Sequence, residues 1–390
     1  MNENKKFQQD KVITISFAHF VHDVYTSFLA PILPLLIEKF SLSFSFVSFL
    51  TVIQRAPSLL NPLVGYFADI FPIRYILIAI PALSAVMMSF IGLMPSVSFI
   101  VILLLASGIG ASLFHVPAPI MVKHVSGNRI GKGMSYFMLG GEIARSIGPL
   151  YILGGISLWG LEGTYRLLPL GLLASLLLFF KFRNIPIAGE LNKKNKETGA
   201  LKVLKEQSNL FVSIGGIFFF TALVKGSVTT FLPTYMTENG ASLWVAGISL
   251  SIIQFAGATG TLFSGSISDK IGRRFTLMIM AITSLFLLLL FVFVSNTIFA
   301  IPVLIVIGFI MFATTPVLLA EVNTIKSEHS GLINGIFMTL NFAIGALSLL
   351  LTGVLGDYFG LKTTYILLAF IGFVAIYFVS RLPKGENDIH

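Results

Sequence analysis

Eight ionisable side chains lie in the middle of long apolar stretches of this sequence. They are five formally charged residues and three histidines, namely Asp23, Arg55, Glu142, Arg145, Lys225, His19, His22 and His115. A charged residue at the centre of a lipid bilayer costs roughly 2.5–3.5 kcal/mol on insertion scales, so such groups persist where they face a cavity or each other. These eight residues are therefore the first candidates for chemistry.

Three of the eight residues form a short cluster near the start of the chain. His19 and Asp23 are four residues apart and share one helix face, whereas His22 lies about 100° around the helix from Asp23. A carboxylate beside an imidazole in a low-dielectric cavity can exchange a proton near neutral pH. We predict that Asp23 carries the proton and that His19 modulates it. The alternative is a hydrogen-bonded pair whose protonation does not change.

The cations within the apolar stretches suit an anionic substrate. Arg55 can hold a phosphonate or a carboxylate through two hydrogen bonds, and Lys225 is the only charged residue of its stretch. We predict that both bind substrate, one from each half of the chain. One alternative is an ion pair between Arg55 and Asp23, with which the substrate would compete. The other is a Lys225 side chain that extends to one membrane face.

Further substrate candidates are polar residues of other apolar stretches. Glu142 and Arg145 are three residues apart, so they form a local ion pair or contact the substrate. His115 precedes Pro117 and Pro119, and its alternative role is within a proline kink. Three cations against two carboxylates leave one net positive charge, which favours anions. Three uncharged polar residues complete the set: Gln54, Gln254 and Asn341.

Transport of a transition metal is the second hypothesis. His19, His22, Asp23 and His115 offer the nitrogen and oxygen ligands that such metals bind. Against it, His22 lies off the face shared by His19 and Asp23, and Arg55 would repel a cation. The chain contains no cysteine, so thiolate sites are excluded. We therefore predict no metal site and retain these four residues as the alternative.

The composition indicates what kind of protein positions these residues. Of the 390 residues, 55% are hydrophobic and 11% are charged, and the mean hydropathy is +0.91. Soluble domains contain roughly 25% charged residues. A soluble enzyme, a nucleic-acid-binding domain and a disordered chain are therefore excluded, and a multi-pass protein of the lipid bilayer remains.

The apolar stretches divide into twelve predicted transmembrane helices. Residues 75–122 and 275–320 contain no Asp, Glu, Lys or Arg, and each is long enough for two crossings of about 20 residues. Most of the 26 Lys and Arg residues fall on one side, which predicts that both termini and the polar segment 182–207 are cytoplasmic. The net charge of +9 therefore reflects topology. The predicted spans are 12–37, 43–68, 75–94, 98–122, 132–156, 163–181, 210–235, 242–267, 275–294, 298–320, 331–355 and 363–381.

The two halves of the chain repeat at an offset of 200 residues. The matching pairs are Gln54 and Gln254, Ala56 and Ala256, Gly65 and Gly265, Asp69 and Asp269, Arg74 and Arg274, and Gly108 and Gly308. Duplicated halves are typical of secondary transporters, whose substrate site lies between the halves near the midplane. The predicted all-α architecture is a six-helix bundle at 1–181, a cytoplasmic linker at 182–209 and a second bundle at 210–390.

The segment GSISDKIGRR (265–274) resembles the loop signature of the major facilitator superfamily, G-x-x-x-D-K/R-x-G-R-R/K. The first-half copy, GYFADIFPIR (65–74), departs from it at Ile70 and Pro72. Glycine allows two helices to approach closely, and the acid suits a helix N-terminus. The resemblance implies the superfamily fold and a latch that closes the cytoplasmic side. The gating candidates are Gly65, Asp69, Arg74, Gly265, Asp269, Lys270, Gly272, Arg273 and Arg274.

Three further segments resemble the fosmidomycin-resistance family: ISFAHFVHDVYTSFLAPILP, GASLFHVPAP and VKGSVTTFLPTYM. GGEIARSIGPLYILGG also resembles the antiporter signature of the fifth helix. The resemblance implies proton-coupled efflux of a phosphonate antibiotic or another small anion, with the proton gradient as energy source and no cofactor. No zinc-protease motif, nucleophile elbow or Walker loop occurs. We expect a monomeric transporter of the plasma membrane, without enzymatic activity and without a nucleic-acid partner.

Overall fold

The computed structural model describes residues 7–61, 74–183, 208–322 and 330–382, and these form helices and no strand. The all-helical prediction is therefore confirmed over this part of the chain. The α-helices of the first half are α1 (Gln9–Thr26), α2 (Leu29–Phe40), α3 (Phe44–Arg55), α4 (Arg74–Ser89), α5 (Val97–His115), α6 (Pro117–Ser126), α7 (Ile130–Trp159) and α8 (Pro169–Phe182). Those of the second half are α9 (Ser208–Glu238), α10 (Leu243–Ile271), α11 (Arg273–Val294), α12 (Ala300–Val322), α13 (Ser330–Gly372) and α14 (Val374–Ser380).

Within the described residues, nine segments are long and apolar enough to cross a membrane by length and composition. A shorter apolar helix covers Phe44–Leu60, and α7 spans 30 residues. The ninth segment, Thr339–Ser380, overlaps the last two predicted spans. Gly360 separates the two spans, because its φ of 72° breaks the helical geometry of α13. A glycine is needed there, since other residues rarely adopt positive φ.

Two predicted spans are interrupted within the membrane. The first crossing breaks between Thr26 and Leu29. The fourth breaks at Val116, immediately before Pro117, because a proline ring provides no N–H for the helical ladder. This break places His115 at the end of α5, where its side chain is 40% exposed.

The chain divides into two compact units. The first comprises Met1–Ser41 and Leu50–Lys194, and the second comprises Leu42–Phe49 and Asn195–His390. In the first unit α1 packs against α4, α7 and α8, and in the second α9 packs against α13 and α10 against α12. Most of the predicted linker 182–209 lies outside the described residues.

The first turn of α3 is held within the second unit. The carboxylate of Asp357 accepts hydrogen bonds from the backbone N–H of Phe44, at 2.6 Å, and of Ser45, at 3.0 Å. The Ser48 hydroxyl donates to the carbonyl of Leu349 at 2.8 Å. The carboxylate thus satisfies N–H groups that a helix leaves open at its start.

The same close helix contact occurs in both units. A Cβ added to Gly108 of α5 would lie 2.1 Å from the carbonyl oxygen of Gln54. A Cβ added to Gly308 of α12 would lie 2.4 Å from the carbonyl oxygen of Ile253. The glycine pair of the sequence repeat therefore marks equivalent crossings, at which only a residue without a side chain allows the backbones to meet.

Candidate functional site

Three histidines surround the carboxylate of Asp23. His19 Nε2 lies 3.4 Å from Oδ2, His115 Nε2 lies 3.4 Å from Oδ1, and His22 Nε2 lies 4.0 Å from Oδ1. The side chains of His19 and Asp23 are 7% and 8% exposed. The half-exposed His115 therefore connects a buried carboxylate to the open surface of the first unit.

Neighbouring helices fix the orientation of the two histidines on α1. The His19 ring stacks on Phe137 with 4.0 Å between ring centroids, and its Nδ1 lies 2.8 Å from the Phe137 carbonyl oxygen. A Cβ added to Gly141 would lie 2.6 Å from His19 Cε1, so this glycine leaves room for the ring. His22 Nδ1 lies 2.7 Å from the Ser84 hydroxyl.

These contacts constrain where protons can be held. A carbonyl oxygen only accepts hydrogen bonds, so His19 Nδ1 must donate to Phe137. His19 Nε2 then faces Asp23 Oδ2, and this contact is attractive only if the nitrogen or the carboxyl group holds a second proton. Within the described residues, His22 Nε2 and Asp23 Oδ1 are buried and have no hydrogen-bond partner. The geometry of the cluster therefore favours uptake of a proton.

The same cluster has a geometry compatible with a metal ion. His19, Asp23 and His115 each offer one ligand atom, and these atoms lie within 4.8 Å of one another. The Phe137 carbonyl directs His19 Nε2 inward, as the outer partners of metal-binding histidines commonly do. The nitrogen and oxygen atoms of this cluster can bind either a proton or a divalent cation.

A pair of arginines forms the second polar group of the first unit. Arg145 pairs with Glu142 on α7, while its Nε is buried and without a partner among the described residues. Arg55 ends α3 in the same unit, and its side chain is exposed.

The alternative of an ion pair between Arg55 and Asp23 is not formed among the described residues. The carboxylate contacts the three histidines instead. Gln54, the neighbour of Arg55, donates to the carbonyl of Thr26 at 3.1 Å and ties α3 to the end of α1.

Lys225 lies on α9 in the second unit. Its Nζ is 4.1 Å from the centroid of the Phe312 ring on α12. Gln254 on α10 and Asn341 on α13 are partly buried. Their substrate contacts stay predictions, as do those of Arg55 and Lys225.

The second copy of the loop motif joins α10 to α11. Gly272 has a φ of 87°, and Arg273 lies 3.8 Å from Asp269 and 3.5 Å from Glu321. Arg274 donates to the carbonyl of Leu382 at 3.3 Å. Lys270 is exposed.

Among the described residues, nothing lies within 4 Å of a Cβ added to Gly265, so its role as a point of close helix approach stays a prediction. In the first copy of the motif, Gly65, Asp69 and the side chain of Arg74 lie outside the described residues. Their role as gating residues therefore stays a prediction.

The contacts that cross between helices were only partly expected from the sequence. The metal alternative grouped His115 and His22 with His19 and Asp23, and the structure brings these four residues together. The leading hypothesis gave His115 a substrate or kink role and used His19 alone beside Asp23. Ser84 and Phe137 carried no signal, because a serine and a phenylalanine within apolar stretches are common.

The chain was compared with families, curated proteins and solved structures. The family model of the Major Facilitator Superfamily matches residues 15–349. The fosmidomycin resistance protein of Escherichia coli (strain K12) is 28% identical over 372 residues, covering 92% of this chain and 89% of that protein. The uncharacterized MFS-type transporter YfnC of Bacillus subtilis (strain 168) is 24% identical, with 96% and 93% covered.

Solved transporters share the fold at low sequence identity. A bacterial homolog of the human lysosomal transporter Spinster, in an inward-facing and occupied conformation, matches with a TM-score of 0.79 and 16% identity over 97% of both chains. A D-xylose-proton symporter matches with a TM-score of 0.71 and 15% identity over 98% of this chain and 99% of that one. Because the family model covers most of its length, the chain belongs to the Major Facilitator Superfamily and is a multi-pass membrane transporter, not an enzyme.

Proposed function

We propose that this transporter uses the proton gradient to export small organic anions of the phosphonate type. The observation that carries the proposal is the pairing of His19 with both Phe137 and Asp23. With its Nδ1–H committed to a carbonyl, the imidazole meets the carboxylate favourably only when the pair holds an added proton. Asp23 with His19 is thus the proton-binding group, and His115 is its route to the open surface.

The anionic nature of the substrate follows from the arginine pair. Arg55 and Arg145 carry two positive charges and Glu142, which pairs with Arg145, carries one negative charge, so these three residues leave one net positive charge in the first unit. A bidentate anion can accept from the buried Arg145 Nε, which lacks a partner among the described residues. Lys225 adds a cation in the second unit.

Helix α7 links the proton to the anion. It carries the Phe137 carbonyl that holds His19, the Gly141 that makes room for the ring, and the Glu142–Arg145 pair. A change in the protonation of the Asp23 cluster alters the contacts of this helix, and with them the position of Arg145. Anion release and proton uptake are coupled by this element, as alternating access requires.

The relatives support the phosphonate class. The fosmidomycin resistance protein of Escherichia coli is similar over nearly the whole chain, and its name associates that protein with a phosphonate antibiotic. We extend this to antibiotic efflux by the present chain, as a monomeric antiporter of the plasma membrane with both termini cytoplasmic and no cofactor.

The test uses the purified full-length protein in liposomes with an imposed pH gradient, and measures accumulation of fosmidomycin. Wild type concentrates the anion, whereas Asp23→Asn abolishes gradient-driven accumulation but retains exchange of labelled for unlabelled fosmidomycin. Asp10→Asn is the matched control, because Asp10 is a 60% exposed carboxylate of the same helix, paired with Lys181. Full accumulation by Asp23→Asn would remove Asp23 from the mechanism, and a wild type that moves no anion would refute the function.

Transport of a divalent transition metal is the second candidate, favoured by the convergence of His19, Asp23 and His115 within 4.8 Å. Thermal unfolding of the purified protein at two pH values distinguishes the two candidates. Stabilisation by phosphonates or carboxylates supports the anion exporter. Stabilisation by Zn²⁺ or Ni²⁺, lost on His115→Ala and without response to anions, supports the metal transporter, and stabilisation by lipophilic cations alone contradicts both.

A further inference from the structure

Phe312 lies next to Lys225, and the distribution of charged residues along the chain gives no reason for an aromatic residue there. Its ring lies beneath the ammonium of Lys225, with 4.1 Å from Nζ to the ring centroid. The ring is partly exposed, although its neighbours Ala313 and Thr314 are buried. An aromatic face attracts a cation through its quadrupole, most strongly where water is scarce. Phe312 therefore contacts a predicted substrate residue rather than the interior of its unit alone.

Gly257 leaves the space that this ring occupies. A Cβ added to Gly257 of α10 would lie 2.5 Å from Cγ and 2.6 Å from Cδ2 of Phe312, closer than real side chains pack. On the same helix, a Cβ at Gly260 would lie 2.0 Å from the Phe309 carbonyl oxygen. The Thr261 hydroxyl lies 3.4 Å from the Phe312 carbonyl oxygen. The backbone that carries Phe312 is thus held against α10, and its ring has little freedom to move.

We propose that Phe312, seated against Gly257, is a positioning residue that holds the ammonium of Lys225 for binding of the substrate anion. An aromatic face stabilises a desolvated ammonium but, unlike a carboxylate, leaves its positive charge uncancelled. The cation is thereby oriented before the anion arrives, which reduces the ordering cost of binding. The inference rests on the proposed function, because the ligand is the anion of that proposal.

A comparison of the two repeats indicates that the aromatic ring is specific to the second unit. Since Gly108 and Gly308 mark the same crossing, Ser112 of α5 corresponds to Phe312 of α12. The smaller Ser112 is buried in the first unit. The duplicated scaffold therefore does not require an aromatic residue at this position, and its presence in the second unit coincides with Lys225.

The first test measures the affinity of purified full-length protein for fosmidomycin and methylphosphonate in detergent. Phe312→Met keeps the side-chain volume but removes the π face, and we expect binding about 3-fold to 30-fold weaker. Phe312→Tyr keeps the face and restores binding close to wild type. In a Lys225→Met background, the change from Phe312 to Met has no further effect, because the two residues act together.

The second test displaces the ring without replacing it. Gly257→Ala forces Phe312 away from its seat and weakens binding to a similar extent. Gly345→Ala is the matched control, because no described residue lies within 4 Å of a Cβ at this position in α13. It retains wild-type affinity, and unfolding temperatures show that each variant is folded. If Phe312→Met does not fold, Gly257→Ala with its control decides the inference.

The outcomes separate this inference from the proposed function. A wild type that binds neither anion overturns both. If wild type binds the anion, and Phe312→Met or Gly257→Ala binds it equally tightly or more tightly, the role of Phe312 is overturned while anion transport stands. Equal weakening by Phe312→Met with and without Lys225 also overturns it, because the ring then acts on the fold and not through the ammonium.

Discussion

The two units share a helix crossing but differ in the chemistry placed around it. Gly108 and Gly308 each meet a backbone carbonyl of another helix, so α5 and α12 follow the same register. Seven residues further, the first unit has His115 against Asp23, whereas the second has Thr315. Duplication has therefore preserved packing, where a clash is costly, while polar residues on the open faces diverged.

The segments that follow these two crossings differ in a second way. Glu321 of α12 lies 3.5 Å from Arg273 of the loop motif, and Met121 of α6 occupies the equivalent sequence position of the first unit, 3% exposed within its apolar core. The motif copy at 265–274 therefore has an acidic partner on α12. The first copy departs from the motif at Ile70 and Pro72, and the equivalent sequence position of the first unit holds an apolar residue. The two copies thus differ both in sequence and in the residue at this position.

The largest expected effect tests the shared packing. Gly108→Ala and Gly308→Ala each place a Cβ against a backbone carbonyl, so we expect both to lower the free energy of unfolding by similar amounts, about 1–3 kcal/mol. Thermal unfolding in detergent measures this. Gly154→Ala is the control, because a Cβ there meets no atom of the described residues within 4 Å, and we expect a change within about 1 kcal/mol. A loss confined to one unit would refute equivalent crossings.

The next prediction tests a residue that differs between the two units. His115→Thr gives α5 the residue that α12 carries at the same position, and removes one of the three imidazoles around Asp23. We expect gradient-driven transport to fall about tenfold, which corresponds to a loss of about 1.4 kcal/mol for the contact 3.4 Å from the carboxylate. Liposome assays measure the rate. His124→Thr, at a histidine in the last turn of α6, should leave the rate unchanged, and unaltered transport by His115→Thr would remove His115 from the proton route.

The smallest effect concerns the ion pair of the motif copy at 265–274. Glu321→Gln removes one carboxylate from Arg273, which keeps Asp269 at 3.8 Å. The pair is partly buried, with Arg273 28% and Glu321 13% exposed, so we expect thermal unfolding to show a loss of about 1 kcal/mol, at the upper end for exposed ion pairs, that high salt reduces. Met121→Glu should not stabilise the first unit, because that residue is buried among apolar side chains. A loss above about 3 kcal/mol for Glu321→Gln would indicate a buried pair instead.

Much of the architecture could be predicted from particular sequence features. The boundary between the predicted spans 75–94 and 98–122 falls between α4 and α5, and the boundary between 275–294 and 298–320 falls between α11 and α12. The proline break after His115 was also expected. These features depend on local composition, since prolines, polar turns and apolar length act within one segment. The break between Thr26 and Leu29 was missed, because no proline or glycine lies between them.

The candidate site was only partly predictable. The i, i+4 pair of His19 and Asp23 and the i, i+3 pair of Glu142 and Arg145 were expected, and both are formed. The contact of Asp23 with His115 was expected only under the metal alternative, and the contacts of His19 with Phe137 and of Lys225 with Phe312 were not expected. Each joins different helices, whereas the predicted pairs lie within one.

The sequence by itself determined the membrane class, the duplicated halves and the short list of ionisable residues within the bilayer. Only the tertiary structure decided that three histidines converge on one carboxylate, that Arg55 stands apart from it, and that a phenylalanine supports Lys225. The physical reason is that membrane helices are apolar on all sides, so their periodicity does not reveal which face meets a neighbour. Rotation and register are set by close contacts such as those of Gly108, Gly141 and Gly257, and these exist only once the helices have packed.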